Sequence, residues 1–449
     1  MADGELFAGL PEQAAPRSDL AGRGAPRLRQ PDRAQMALRV VNVDSLIGQD
    51  HPVRVIWRYV EELDLSALED RIKARTHNVG HPATAPRLLL ALWLYATSEG
   101  VGSARALAAL CESHDVYRWL CGGVSVNHHT LADFRVDHAD LLDQLLVKHL
   151  AALAAAKLID LDALTQDGVR IRASAGAASF RRGATLDRHQ VMAQAVVEEL
   201  KREVAANADA SNARIRAAKA RAVRESGERL AAAQKALEAI EQQRKARERK
   251  HKNGKQPTEP RASTTDAEAR VMKMADGGFR PAYNVQVASA AGEQIVVAVD
   301  VTNNGSDRGL LRPMLEQWRK RSGRLPQRHL ADGGFSSAED LEWAHAEGIE
   351  VYCPPTQSKY GTDPCQPRRG DGKGVLAWRE RMASEAGKQP YKERSKCECI
   401  HARWRNWGLR QLPVRGVQKV RAVLLLFALT NNILQGHRLA IAQAQIKSA

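Results

Sequence analysis

The apolar residues of this chain change their spacing once, near Leu158, and that change constrains the fold more than any other feature. From Val41 to Leu158 they recur every three to four positions: Leu65, Leu68 and Ile72, then Leu88, Leu92 and Tyr95, then Leu107 and Leu110. Such spacing keeps one face of a helix apolar, so residues 38–157 are expected to form an all-α N-terminal domain, punctuated by Gly80, Pro82, Gly100 and Gly102. Beyond Leu158 the period shortens. Val169, Ile171 and Ala173 alternate with Arg170 and Arg172, which is the two-residue repeat of a strand.

Further strands follow the same logic. Tyr283, Val285 and Val287 alternate with Asn284 and Gln286, which predicts a strand with one wet face, whereas the nearly unbroken apolar run from Ile295 to Val301 predicts a central strand. Leu330-Ala331 and Ile349–Tyr352 read as short strands, with helices over Leu310–Trp318 and Glu339–Ala346 between and around them. Residues 187–252 are rich in Ala, Glu, Lys and Arg, contain no Pro and one Gly, and carry two apolar stripes. Val197, Leu200 and Val204 form one, and Leu230, Ala233, Leu237 and Ile240 the other, with a turn-favouring stretch, Asn207–Asn212, between them. The expected fold class is therefore α/β: a mixed sheet with an inserted helical hairpin and loop (residues 187–260), preceded by the helical domain. Residues 1–37 have the composition of a flexible tail, and residues 436–449 read as a C-terminal tail.

A formal charge of +15, from 67 Lys and Arg against 52 Asp and Glu, suits a polyanionic partner, with DNA as the first expectation. In that light Asn127-His128-His129-Thr130, with Thr130 as a helix cap ahead of Leu131, Phe134 and Arg135, has two readings: a helix offered to a groove, or a plain packing helix. The apolar runs Leu88–Ala96 and Ala422–Leu429 fall short of the ~20 residues of a spanning helix and read as buried helices, so no membrane partner is expected. The N-terminus lacks an apolar export segment, so a cytoplasmic location is expected. The six cysteines are scattered as reduced thiols would be; Cys397, Cys399 and His401 lie on one short helical stretch and cannot surround a tetrahedral ion.

Three carboxylates stand out. Asp167 and Asp332 each end an apparent strand and precede glycine, where the absent side chain would let a phosphate or a metal approach the backbone; taken singly, each is equally an Asp-Gly turn. The third, Glu398, lies between Tyr391 and Arg421, a stretch with nine Lys or Arg against two Asp or Glu and with Trp404 and Trp407 interleaved. Cations around Glu398 favour its charged form, suited to a divalent ion, although an ordinary intrahelical pair with Arg394 is the plainer account. Glu393 is the rival acid there, and Trp404 and Trp407 are more often core residues than stacking platforms.

The spacing Tyr391-x2-Arg394-x3-Glu398-x6-Arg405 resembles the Y-x2-R-x3-E-x6-K signature of insertion-sequence DDE transposases, with Arg where the family usually has Lys. Asp167-Gly168-Val169-Arg170-Ile171-Arg172-Ala173-Ser174, Ser263-Thr264-Thr265-Asp266, Phe279-Arg280-Pro281-Ala282-Tyr283-Asn284 and Ala331-Asp332-Gly333-Gly334-Phe335 are similar to the branch numbered eleven-eighty-two, and the likeness spans about residues 38–435. The resemblance implies a bacterial transposase with a ribonuclease-H-like DDE catalytic domain over residues 158–435, in which Asp167, Asp332 and Glu398 are the catalytic and metal-binding triad. It further implies two Mg2+ ions, with Mn2+ able to substitute, and DNA contacts from Tyr391, Lys392, Arg394, Arg403 and Arg405. The implied partners are double-stranded DNA, as terminal inverted repeats and target, and a second copy of the chain on DNA, in a nucleoid-associated cytoplasmic setting. The triad members lie 165 and 66 residues apart, and the inserted hairpin accounts for the longer interval.

Overall fold

The computed structural model describes residues 40, 42–75, 81–206, 213–250, 259–356, 361 and 363–448. The expected tail 1–37, the turn Asn207–Asn212 and most of the polar loop after the hairpin lie outside the described residues. Before the sheet the described chain is helical: α1 (Pro52–Glu61), α2 (Ser66–Glu69), α3 (Pro86–Ser98), α4 (Ala104–Ser113), α5 (Asp115–Cys121), α6 (His128–Asp137) and α7 (Ala139–Ala155). Pro86 starts α3, where its missing N–H costs nothing, and every residue from Leu88 to Thr97 is buried. The cap of α6 is Asn127, whose side chain accepts from the His129 N–H at 2.8 Å, rather than Thr130, which lies inside the helix. Leu131 and Phe134 on α6 are buried.

The sheet is mixed. Its principal strands are β1 (Ala163–Arg172), β5 (Phe279–Ala290), β6 (Val296–Thr302), β7 (Arg328–Ala331) and β8 (Glu350–Tyr352), ordered β6-β5-β1-β7-β8. β5 runs antiparallel to β1 and β6, whereas β7 is parallel to both β1 and β8. The first residues of β5 also pair with β4 (Arg270–Lys273). A separate two-residue clasp joins β2 (Phe180–Arg181) to β3 (Ala262–Ser263), tightened by a 2.7 Å hydrogen bond between the Ser179 and Ser263 hydroxyls. From this clasp springs the inserted arm, α8 (Gly183–Ala206) and α9 (Ala213–Lys250). Its small core, Leu186 against Leu230, Ala233, Leu237 and Ala262, sits at the base of the arm.

The remaining helices are α10 (Leu311–Ser322), α11 (Ala338–Ala346), α12 (Lys373–Ala383), α13 (Glu385–Tyr391), α14 (Ser395–Asn406) and α15 (Val417–Ser448). By length and composition α15 could cross a membrane, but all residues from Ala422 to Ile433 are buried in the protein, packed against α3, α6 and α7 and against β6. The helix continues through residues 436–448, which had read as a tail.

Two expectations about the sheet need correction. Among the described residues β6 is an edge strand, paired only with β5; its unbroken apolar run arises because helices bury it, not because a strand flanks it on each side. Side chains take over from a neighbouring strand along that edge. The Asn432 amide both accepts from the Val296 N–H (2.8 Å) and donates to the Val296 carbonyl (2.7 Å), while Arg321 and Gln317 donate to the carbonyls of Val297 and Val299. Replacing Asn432 by alanine strands two buried backbone groups and is expected to lower stability by about 2–4 kcal/mol. Urea unfolding checks this, and an unchanged midpoint would refute it.

The second correction concerns Asn284 and Gln286, which are buried rather than wet. Asp307, in the loop after β6, folds over them and accepts from the Asn284 amide at 2.7 Å and the Gln286 amide at 2.9 Å. The chain of contacts continues through Gln166 to the His329 Nε2, so that polar side chains on three strands hydrogen-bond to one another out of water, with the buried His329 Nδ1 left over.

Candidate active site

β1 and β7 pair as far as Gln166 and Ala331, and the next residue on each is an aspartate. Asp332 thus follows the last residue of β7 and stands beside Asp167, which does not end its strand as the sequence suggested but lies midway along β1, where the parallel pairing with β7 stops. Asp167 remains in the ladder opposite Val287 of β5, which fixes it, and its Oδ1 accepts from the Gly168 N–H at 3.0 Å. Asp332 opens the turn Gly333–Phe335, its Oδ1 accepting from the Gly333 N–H at 2.6 Å.

The glycines after these acids have a different reason from the one the sequence suggested. A Cβ on Gly168 would lie 2.4 Å from both the Asp307 carboxylate and the Gln286 amide, and one on Gly333 would lie 2.8 Å from the Pro354 carbonyl oxygen. Neighbouring protein groups, not an open approach for a ligand, fill that space.

Glu398 comes from α14. That helix lies on the sheet because Cys397, Ile400 and Trp404 are buried; fully burying a side chain of this kind contributes roughly 1.5–3 kcal/mol. Another face carries Arg394, Glu398, His401 and Arg405, four or three residues apart, so the signature spacing is a helical stripe.

Arg394 is where the acids meet. Its guanidinium is 2.8 Å from Glu398 Oε1, 3.3 Å from Asp167 Oδ1 and 4.0 Å from Asp332 Oδ2. Its side chain is only 14% exposed, as Asp167 is at 17%, whereas Asp332 and Glu398 are each 60% exposed. The cluster therefore has a buried floor and an open rim. Burial pushes the Asp167 carboxyl up to about 6, helped by Asp332 and Glu398 and opposed by Arg394 and the Gly168 N–H. Burial works against the Arg394 charge too, but Asp167, Tyr391, Asp332 and Glu398 outweigh it and hold its pKa above the ordinary value.

His401 is the site residue that sequence reasoning missed, having considered it only beside the cysteines. Its Nε2 lies 3.6 Å from Asp167 Oδ2. Burial, with Arg405 and Arg394 nearby, pushes its pKa down to about 4, so the ring is neutral at neutral pH and the contact is not an ion pair. The available signal was position: His401 sits three residues after Glu398 on the same stripe.

Among the other singled-out residues, Tyr391 interacts with the cluster, through Arg394, Asp332 and Asp167. Tyr391 ends α13 and packs, partly buried, on the core beneath β7 and β8. Lys392 is exposed beside it, and Arg405 is exposed at the far end of the stripe. Arg403 turns away, bound to the Asn431 side-chain oxygen and, at 2.7 Å, to that of Gln294. The ion pairs of Arg394 do not include Glu393. Trp404 is buried and Trp407 partly so, both near Phe427 in the core. Cys397 is buried, with its thiol pushed up to about 12 by that burial, while Cys399 is exposed. Among the described residues no three His, Cys, Asp or Glu side chains close around one point as metal ligands; a guanidinium stands between the acids instead.

Comparison with known families adds two matches. A family model described as a transposase DDE domain matches residues 249–433, and one described as a transposase domain (DUF772) matches residues 41–137. Asp332 and Glu398 lie inside the first match, and Asp167 lies between the two. No curated protein and no solved structure shows a significant match to the chain. The two family models, on either side of the arm, agree in kind with each other and with the signature on α14: this chain belongs to the DDE transposases of insertion sequences.

Proposed function

We propose that Asp167, Asp332 and Glu398 are the acidic triad of a ribonuclease-H-like catalytic domain, residues 158–435, which cuts DNA at transposon ends and joins the freed 3′ hydroxyl to target DNA. What carries this reading is one observation: three acids, far apart in sequence, converge on a single guanidinium where the parallel pairing of β1 with β7 stops. Supporting it are the mixed sheet, the helical arm inserted after β1, and the +15 charge of the chain.

The donor set fits a hard divalent cation, because it offers carboxylate oxygens and three negative charges already gathered around one positive group. Mg2+ is the proposed ion, two per site, with Mn2+ as substitute; when bound, such a pair would stabilise charge on the attacking and leaving oxygens of a phosphodiester. Asp167, locked in the ladder, is the fixed ligand, while Asp332 and Glu398 are exposed enough to complete the set at the rim. Arg394 offsets repulsion among the acids, and its fork is suited to a DNA phosphate. Tyr391, which interacts with Arg394 and Asp332, and the exposed Lys392 after it are proposed to contact the DNA there. Residues 38–157 are proposed to bind DNA, the terminal inverted repeats and target duplex are the partners, and two copies act together on the paired ends in the cytoplasm. The arm of residues 187–260 is read as an insert in the catalytic domain.

The test is a strand-transfer assay. A labelled duplex ending in the inverted repeat that flanks the gene is incubated with supercoiled plasmid and Mg2+. Covalent joining of the 3′ end to plasmid is expected. Cleavage without joining would instead indicate a nuclease, and binding without either would indicate a DNA-binding protein.

A further inference from the structure

Because β7 stops pairing with β1 at Gln166, the edge of β1 that faces β7 has no backbone partner among the described residues immediately beyond Asp167, while its other edge stays paired to β5 as far as Arg172. The chain after α14 closes this stretch only at its far end, where the Leu412 N–H donates to the Arg172 carbonyl at 2.8 Å. The result is a groove of about 460 Å3 that begins at Gly168, next to the acid cluster, and follows β1 outward. Its lining includes five arginines, Arg170, Arg172, Arg280, Arg405 and Arg410, against one acid, Asp276.

These arginines are not all engaged with the protein. Arg280 is paired with Asp276 at 2.7 Å, and Arg170 is held by Asp307 at 3.4 Å and by the Gly305 carbonyl. Arg172, Arg405 and Arg410 are exposed. Arg405 belongs to the stripe that carries Arg394 and Glu398, so the groove and the acid cluster share one helix face and one strand. Guanidinium groups match phosphate oxygens with two parallel hydrogen bonds, which a row of lysines would not.

We infer that this groove seats the phosphodiester backbone of the DNA strand leaving the acid cluster, which therefore runs along the β7-facing edge of β1 past Arg172 and Arg410. The inference rests on the proposed function and adds the route of the strand. Each exposed arginine on that route neutralises one phosphate and releases its counterion, so each contributes to the salt dependence of binding.

The experiment titrates a fluorescein-labelled DNA duplex bearing a single-stranded 3′ tail with full-length protein in EDTA over a series of KCl concentrations. Arg172→Gln and Arg410→Gln are each expected to reduce the slope of log K against log salt by about 0.7–0.9, and the double variant by the sum. Arg172→Lys and Arg410→Lys should restore the slope while recovering only part of the affinity. Lys320→Gln, exposed on α10 outside the groove, should leave the slope unchanged. Unaltered slopes in both glutamine variants, or an equal fall in Lys320→Gln, overturn the inference, as does tighter binding of the same tail made of RNA. Asp332→Ala is carried through the same titration and through the cleavage assay. If it still cleaves, the proposed function fails; if it does not cleave but the arginine variants keep their slopes, only the groove assignment fails.

Discussion

Replacing Asp332 by alanine is expected to abolish metal-dependent DNA cleavage, a loss of at least about a thousandfold or ~4 kcal/mol in transition-state stabilisation, while DNA binding persists. The position makes this a clean test. Asp332 is 60% exposed, its side chain accepts only from the Gly333 N–H, and its ion pair with Arg394 is the longest of the three, so the fold does not depend on it. Glu398→Gln should behave alike, since its partner Arg394 keeps Asp167. Asp167 is the poorer choice because it is buried in the ladder, and its loss would confound chemistry with packing. Cleavage at the wild-type rate by Asp332→Ala, measured with Mg2+ and again with Mn2+, would remove the acidic triad from the mechanism.

Asp143→Ala is expected to cost about 3–5 kcal/mol of stability without touching the acid cluster. Asp143, on α7, is the shared partner of Arg321 from α10 and Arg421 from α15, the latter at 3.4 Å. The Arg321 side chain is only 6% exposed, and burial lowers its pKa even though Asp143 opposes the shift. Without Asp143 two guanidinium groups, one of them buried, would face each other with only Asp300 nearby to offset them, and the penalty of leaving the Arg321 charge without its ion-pair partner exceeds the value of the pair itself. Chemical denaturation reads the loss directly. Pairing Asp143→Ala with Arg321→Met should recover a large part of it, and a double variant as unstable as the sum of the two singles would show that the charge pair is not the cause.

Much of this was legible in the sequence. The shift of period at Leu158 separates the helical segment from the sheet, and the four-residue signature pointed to Glu398 as the Asp-Gly pairs did to Asp167 and Asp332, the three acids that meet at Arg394. What stayed hidden was set by partners distant in sequence. Asn284 and Gln286 look like a solvated face because alternation cannot reveal that Asp307 will cover them. The run Ile295–Val301 looks central because burial by α15 and α10 leaves the same apolar pattern as burial by strands. Gly168 invites a ligand-based account, whereas the occupant of its missing Cβ space comes from a loop 139 residues away. His401 carried only its position, three residues after Glu398, and that gained meaning once the stripe on α14 was set against β1.

The clasp between β2 and β3 has a mechanical consequence. Four paired residues shut the neck through which α8 leaves and α9 returns, and the Ser179–Ser263 hydroxyl contact latches it. The described helices past the neck, α8 and α9, add no strand to the six-stranded sheet, so the length of the arm can grow or shrink without pulling on Asp167 or Asp332. Descendants of this chain are thus free to reshape that appendage for new contacts while the cutting centre keeps its geometry.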